Sequence, residues 1–344
     1  MVTAVWFMDG LAPVVAAPMS GGPTTPALVT AATAAGSFGF LAAGYLTPDA
    51  ARNQISQTRR SCDYFGVNVF LPRDAAPDPA ELAAYARELA SEAERYGLEV
   101  GLRSAAEGED DWWHDKVELL VQDPVAVVSF TFDIPDAATV AALQRVGSTV
   151  LATVTTADEA RRAEVEGVDG LVVQSAAAGG HSATTTPDAP SVRTDAAALV
   201  SEVRAVSVLP IVATGGIVHS AQVQAVLAAG AEAAMVGTLL LRTPESGARP
   251  AHKAALADPA RAETVVTRAF TGRPARGLRN RFTDEHSATA PLGYPAIHFL
   301  TAPIRAAAAA CGDPDGLNLW AGTGYRATTD RPAVEVLAEL INGL

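Results

Sequence analysis

The sequence predicts an α/β fold, a closed (β/α)8 TIM barrel with a smaller, mainly helical substrate subdomain inserted near its end. Three observations carry this. Short apolar runs alternate with helical patterns along most of the 344 residues, as βαβ units do. The strand runs are apolar without strict alternation, as strands covered on both faces are. Eight such runs can be counted, which favours closure into a barrel over an open doubly wound sheet.

The elements follow in order. Val14–Ala17 reads as a buried strand ending at Pro18-Met19-Ser20-Gly21-Gly22. Thr25 and Pro26 open the next helix as N-cap and first helical residue, and Gly36 closes it. Phe38–Ala42 is the second strand, Thr47-Pro48 opens a helix running to Arg60, and Phe65–Phe70 is the third strand. A longer connection holds a helix from about Pro79 to Tyr96 and a candidate extra strand at Leu98–Leu102. Val125–Phe130 and Val150–Val154 are the fourth and fifth strands. Thr156 and Glu159 have capping-box spacing ahead of the next helix. Leu171–Gln174, Pro210–Thr214 and Ala233–Val236 complete the barrel, with a helix at Ser220–Ala229 between the last two. After Thr243 the alternation stops. Residues 244–302 read as the inserted subdomain, and 1–243 with 303–344 as the barrel, closed by a helix at Pro332–Ile341.

Composition narrows the partners. The chain is 49% hydrophobic and 18% charged, enough apolar material for a large core. Its formal net charge of −13 argues against nucleic acid and against an anionic membrane surface. Cys62 and Cys311 are too few for a disulfide framework and match no zinc spacing, so no metal is expected. Residues 1–10 lack a basic region ahead of an apolar one, so a cytoplasmic location is the expectation. A homodimer is compatible with this composition.

Barrel sites form at the C-terminal ends of the strands. Gly215-Gly216 follows the seventh strand and Gly237-Thr238 the eighth. Either pair alone is equally an ordinary tight turn. On consecutive strands they favour a phosphate held by backbone N–H groups. Gln174–His181 leaves the sixth strand through small residues, Gly179-Gly180 among them, and ends in one imidazole. That histidine can move a proton or stabilise a developing charge. Asn68 and Gln174 offer amides suited to the edge of a planar heterocycle. Pro18-Met19-Ser20 can line such a ring, although Met is more often packing. Of Phe130 and Phe132, one faces the barrel mouth and the other the packing. Trp112-Trp113-His114-Asp115 reads mainly as a packed helix start. Arg268, Arg273, Arg276, Arg279 and Arg281 either bind an anion or pair with acidic residues.

Several stretches together resemble the nitronate monooxygenase (2-nitropropane dioxygenase) family. They are Ala17–Pro23, Gly66–Phe70, Val128–Phe132, Gln174–His181, Ala213–Ile217 and Thr267–Gly277, in order along most of the chain. The resemblance implies an FMN-containing barrel that oxidises alkyl nitronates with O2, giving a carbonyl compound and nitrite. It implies His181 as the catalytic residue. It implies Asn68, Gln174, Gly179, Gly216, Met235, Val236, Gly237 and Thr238 as flavin contacts, and Ala17, Pro18, Met19, Gly180 and Gly215 at the same strand ends complete the cofactor-binding candidates. Phe130, Tyr294, His298 and Tyr325 are candidates for substrate contact. The chain departs from the family at Ser175 and Ala177, where Gly and Glu are usual, and at Met235-Val236, where a glutamine is common. No lysine follows Lys253. The alternatives are an FMN-dependent, NAD(P)H-using reductase of the enoyl-acyl-carrier-protein reductase type, and a flavin-binding protein without turnover.

Overall fold

The computed structural model describes residues 6–72, 78–99, 101 and 110–344. From the N-terminus the chain forms β1 (Val14–Ala16), α1 (Pro26–Ala34), β2 (Phe38–Ala42), α2 (Pro48–Arg59) and β3 (Gly66–Phe70). The third connection carries α3 (Pro79–Glu88), α4 (Ala90–Glu94) and α5 (Trp113–Gln122). Then come β4 (Val127–Thr131), α6 (Ala137–Arg145), β5 (Thr149–Val154), α7 (Ala157–Val165) and β6 (Gly170–Gln174). A two-residue strand, β7 (Gly180–His181), precedes α8 (Ala196–Arg204), β8 (Ile211–Thr214), α9 (Ser220–Ala228) and β9 (Ala233–Val236). The rest is α10 (Pro250–Ala257), β10 (Thr264–Thr267), β11 (Ala275–Leu278), α11 (Arg281–His286), α12 (Ala296–Cys311) and α13 (Ala333–Asn342).

Eight parallel strands, β1–β6 with β8 and β9, close into the barrel, β1 pairing with both β2 and β9. β7 leaves it and joins β10 and β11 in an antiparallel three-stranded sheet. The helix starts are legible in the chain. Thr25 accepts from Leu28 N at 3.1 Å, Thr47 from Ala50 N at 3.2 Å and Asp195 from Ala198 N at 3.1 Å. Thr156 also caps its helix, but Glu159 does not close the reciprocal bond. Its carboxylate reaches Thr155 N at 2.5 Å and takes hydrogen bonds from Thr184 and Thr185.

The helix expected over 79–96 breaks at Leu89, where Tyr85, Leu89 and Ala93 turn into a second core with Phe270, Phe282 and Ile297. Of the candidate strand at 98–102, Leu98, Glu99 and Gly101 are not in a strand, and residues 100 and 102 lie outside the described residues.

Strand parity builds two apolar layers. Val67, Val69, Val128, Phe130, Val150, Ala152, Leu171 and Val173 pack outward against the helices. Phe38, Phe40, Val127, Leu151, Val172 and Val212 fill the barrel. Each such side chain contributes about 1.5–3 kcal/mol by leaving water. Phe40 needs Gly66 beside it, because a Cβ there would lie 2.3 Å from the ring. Trp6, Phe7 and Met8 close the lower end.

Candidate active site

The inward-facing positions change character toward the C-terminal strand ends. Above the apolar layers stand Asn68, Ser129, Thr131, Thr153, Gln174 and Thr214, and all line one cavity of about 360 Å³. This is a size usual for small-molecule sites. Every cofactor-contact candidate lines it: Ala17, Pro18, Met19, Asn68, Gln174, Gly179, Gly180, Gly215, Gly216, Met235, Val236, Gly237 and Thr238. His181 and His298 line it as well.

One side of the cavity is backbone. Gly215 and Gly216 have φ of 111° and 74°, conformations that L side chains rarely adopt. A Cβ on Gly216 would also sit 2.8 Å from Ala177 Cβ. Ser175 Oγ donates to Gly215 O at 3.2 Å. Ser175 and Ala177 are thus the floor beneath the Gly-Gly turn. Gly179 abuts the 321–322 backbone, where a Cβ would approach Gly322 N to 2.5 Å. The N–H groups of Gly216, Gly237 and Thr238 find no acceptor among the described residues. They form a ready anion cradle.

The two amides have different duties. Asn68 Nδ2 donates to Ser129 Oγ at 3.0 Å and Thr131 Oγ1 at 2.9 Å, leaving its oxygen as an acceptor in the cavity wall. Gln174 is spent on the chain itself. It donates to His181 O at 3.3 Å and accepts from Ala183 N at 2.8 Å, which fixes the strand bearing the histidine.

The other side is aromatic and cationic. His181 lies among Phe132, Tyr294 and Trp320, with ring centroids 5.5, 5.8 and 5.6 Å away. Its Nε2 is 2.9 Å from Thr271 Oγ1. Burial, then the nearby Arg273 and Arg305, pushes its pKa down to about 3, so the imidazole is neutral. His298 is held well below its ordinary value by burial, Arg305 and His181. Tyr45, at φ 68°, stacks on His298 at 4.4 Å. Its backbone N–H donates to Asp111 Oδ1 at 2.7 Å, and Lys116 Nζ is 2.7 Å from the other carboxylate oxygen. Burial raises Asp111 to about 6 despite that lysine.

Arg305, on α12, also lines the cavity. It donates to Thr301 Oγ1 at 3.2 Å and His298 O at 2.8 Å. No carboxylate pairs with it among the described residues. Burial lowers its pKa from 12.5 to about 10, so it stays charged at neutral pH.

Two substrate candidates stand elsewhere. Phe130 packs outward in the helix layer, because alternation along β4 sends Ser129 and Thr131 inward. Phe132, one residue beyond the strand at φ 89°, is the aromatic that reaches the cavity. Tyr325 donates to Arg261 O at 2.5 Å within a separate apolar cluster. Tyr294 is buried behind the cavity wall, its ring packed against His181 and Phe132. The arginine cluster is mostly structural. Arg279 pairs with Glu263 and Asp284, Arg281 with Glu92 and Asp313, and Arg273 donates to Ser182 O and Thr184 O. Arg276 donates to Ala176 O. Sequence reasoning missed Arg305, Tyr45 and Trp320. For Arg305 the available signal was the polar stripe His298, Thr301, Arg305 at helical spacing on an otherwise apolar helix.

A barrel with a polar, glycine-walled cavity at its C-terminal strand ends defines an enzyme acting on small molecules. The nitronate monooxygenase family model matches residues 3–343. A nitronate monooxygenase of Pseudomonas aeruginosa is 35% identical over 340 residues, covering 96% of each chain. A probable nitronate monooxygenase of Bacillus subtilis is 32% identical over 331 residues, covering 94% of this chain and 93% of that one. The crystal structure of nitroalkane oxidase from Streptomyces ansochromogenes superposes with a TM-score of 0.92 at 44% identity, covering 98% of this chain and 97% of that one. FabK from Thermotoga maritima, at 23% identity and a TM-score of 0.73 over 98% and 94%, shares the fold. The chain belongs to the nitronate monooxygenase family, a family of flavin-dependent oxidoreductases.

Proposed function

We propose that this chain uses FMN to oxidise alkyl nitronates with O2, releasing a carbonyl compound and nitrite. The observation that carries the reading is a single cavity joining the Gly215-Gly216 and Gly237-Thr238 cradle to His181 and Arg305. The residues fit the cofactor. Glycines would admit a phosphate close to N–H groups that have no acceptor among the described residues, and the Asn68 amide oxygen and Met235, which line the same cavity, would hold the ring. A flavin held there would supply the electron acceptor for the nitronate and the route for those electrons to O2.

The chain's own groups do the rest. Arg305, which has no carboxylate partner among the described residues, faces the nitronate oxygens as a charge. Phe132 and Trp320 narrow the space around the reacting carbon and limit water. His181 is neutral before substrate binds, so its lone pair is available. It serves as a base that takes the α-proton of a neutral nitroalkane, becoming an imidazolium paired with the nitronate that forms. The segment 244–302 then acts as the substrate subdomain, supplying Thr271, Tyr294 and His298. Nothing in the chemistry calls for a metal, nucleic acid or membrane, and a cytoplasmic enzyme fits the acidic balance.

His181→Asn tests the base. Nitroethane turnover should fall about 10²-fold or more, while ethylnitronate, which needs no deprotonation, should lose much less. Equal turnover of nitroethane by the variant would remove His181 from the reaction.

A further inference from the structure

His181 makes one side-chain hydrogen bond among the described residues, from Nε2 to Thr271 Oγ1 at 2.9 Å. Thr271 has a single proton to give. Its hydroxyl lies 3.3 Å from Arg273 O as donor, and it accepts from Arg273 N at 3.4 Å. With that proton directed to Arg273 O, the oxygen is left as an acceptor toward His181. The imidazole must then carry its proton on Nε2. Nδ1 forms no hydrogen bond among the described residues and is not sealed from the cavity that His181 lines. We propose that Thr271 is a positioning residue that holds neutral His181 in the Nε2–H tautomer, presenting the Nδ1 lone pair to the substrate carbon.

Independent features hold the ring for this task. The backbone of His181 is paired with Ala275 across β7 and β11, and Gln174 binds its carbonyl. Thr271 itself is 1% exposed, so water does not compete for its hydroxyl. Among the described residues, the charged and titratable groups facing the imidazole are Arg273 beside Thr271, and Arg305, His298 and Tyr294 from the α12 region. None is a carboxylate. No acidic partner among the described residues fixes the tautomer, and a hydroxyl does so instead. This inference rests on the proposed role of His181 as a base. The tautomer itself is measurable whether or not that reading holds.

The experiment is nitrogen NMR of the ¹⁵N-histidine-labelled, flavin-loaded protein near pH 7, on wild type, Thr271→Val and Thr271→Ser, with His181→Asn to assign the resonance. Wild type and Thr271→Ser should show neutral His181 protonated on Nε2. Thr271→Val should show a mixture or the opposite tautomer. In kinetics, Thr271→Val should lose about 10- to 100-fold on nitroethane, at least tenfold more than on ethylnitronate, and Thr271→Ser should recover most of it. A wild-type His181 protonated on Nδ1 overturns the proposal even if the valine variant does not fold. So does a valine variant whose losses on the two substrates are equal. If the wild type oxidises neither substrate, the functional reading fails, and the NMR result still decides the tautomer.

Discussion

Arg305→Met separates a binding charge from a structural one. The guanidinium sits in the cavity wall with three hydrogen-bond contacts, to Thr301 Oγ1, His298 O and His298 Nδ1. Its pKa falls from 12.5 to about 10. That fall corresponds to roughly 3 kcal/mol against the charged form, reduced somewhat by water in the cavity. Methionine keeps the apolar stem and removes the charge. It gives up three hydrogen-bond contacts worth about 1 kcal/mol each. The two nearly cancel, so Tm should stay within about 2 °C of wild type. Activity should fall. A charge-assisted contact to an anion is worth about 1.5–3 kcal/mol, so kcat/KM for ethylnitronate should drop about 10- to 100-fold, mostly through KM. The assays are thermal unfolding followed by flavin fluorescence, and steady-state oxygen uptake. A variant with a lower Tm and an unchanged kcat/KM would refute this reasoning and make Arg305 a strut of α12.

Two further predictions concern the cradle and the buried imidazoles. Gly179→Ala places a Cβ 2.5 Å from Gly322 N and 2.6 Å from Ala321 C, both backbone atoms that cannot rotate away. The 321–322 segment must shift, breaking the Gly322 N to Thr238 Oγ1 bond, and the purified variant should retain little flavin by absorbance. Full flavin occupancy would show that this turn does not shape the cofactor site. Acid stability should fall as pH drops from 6.5 toward 4. His181 and His252 are lowered to about 3 and about 4, chiefly by burial, so the unfolded chain takes up protons there first. Each costs about 1.4 kcal/mol per pH unit across that window. Asp111, raised to about 6, works in the opposite sense and offsets one of them. Tm measured against pH should therefore decline, and less steeply in His252→Gln. A flat profile would contradict the neutral, buried assignment.

The barrel was legible because its strands are short apolar runs punctuated by Gly, Pro and N-cap residues, each a local signal. Phe38–Ala42 and Ala233–Val236 coincide with the expected bounds for that reason. The glycine turns and His181 were legible because the barrel fixes which loops share a mouth. What failed depended on parity or on distant contacts. Placing the end of β4 one residue early put Phe130 in the mouth, whereas one more residue and a positive φ give that place to Phe132. β7 is two residues long and exists only by pairing with β11, nearly a hundred residues later. Arg305 lies in an alanine-rich helix that runs on from Ala296 to Cys311, and only tertiary folding turns its polar stripe to the cavity. Glu159 looked like half of a capping box, yet its carboxylate is taken by Thr184 and Thr185, whose approach no local pattern encodes.

The most direct test of the central claim is anaerobic. The purified protein, loaded with FMN, is mixed with ethylnitronate in the absence of any nicotinamide, and the visible absorbance band of the oxidised flavin is followed. Loss of that band, its return on admitting air, and release of nitrite are the predicted result. A flavin that ignores the nitronate and bleaches with NADH or NADPH would contradict the account and assign the cavity to a reductase.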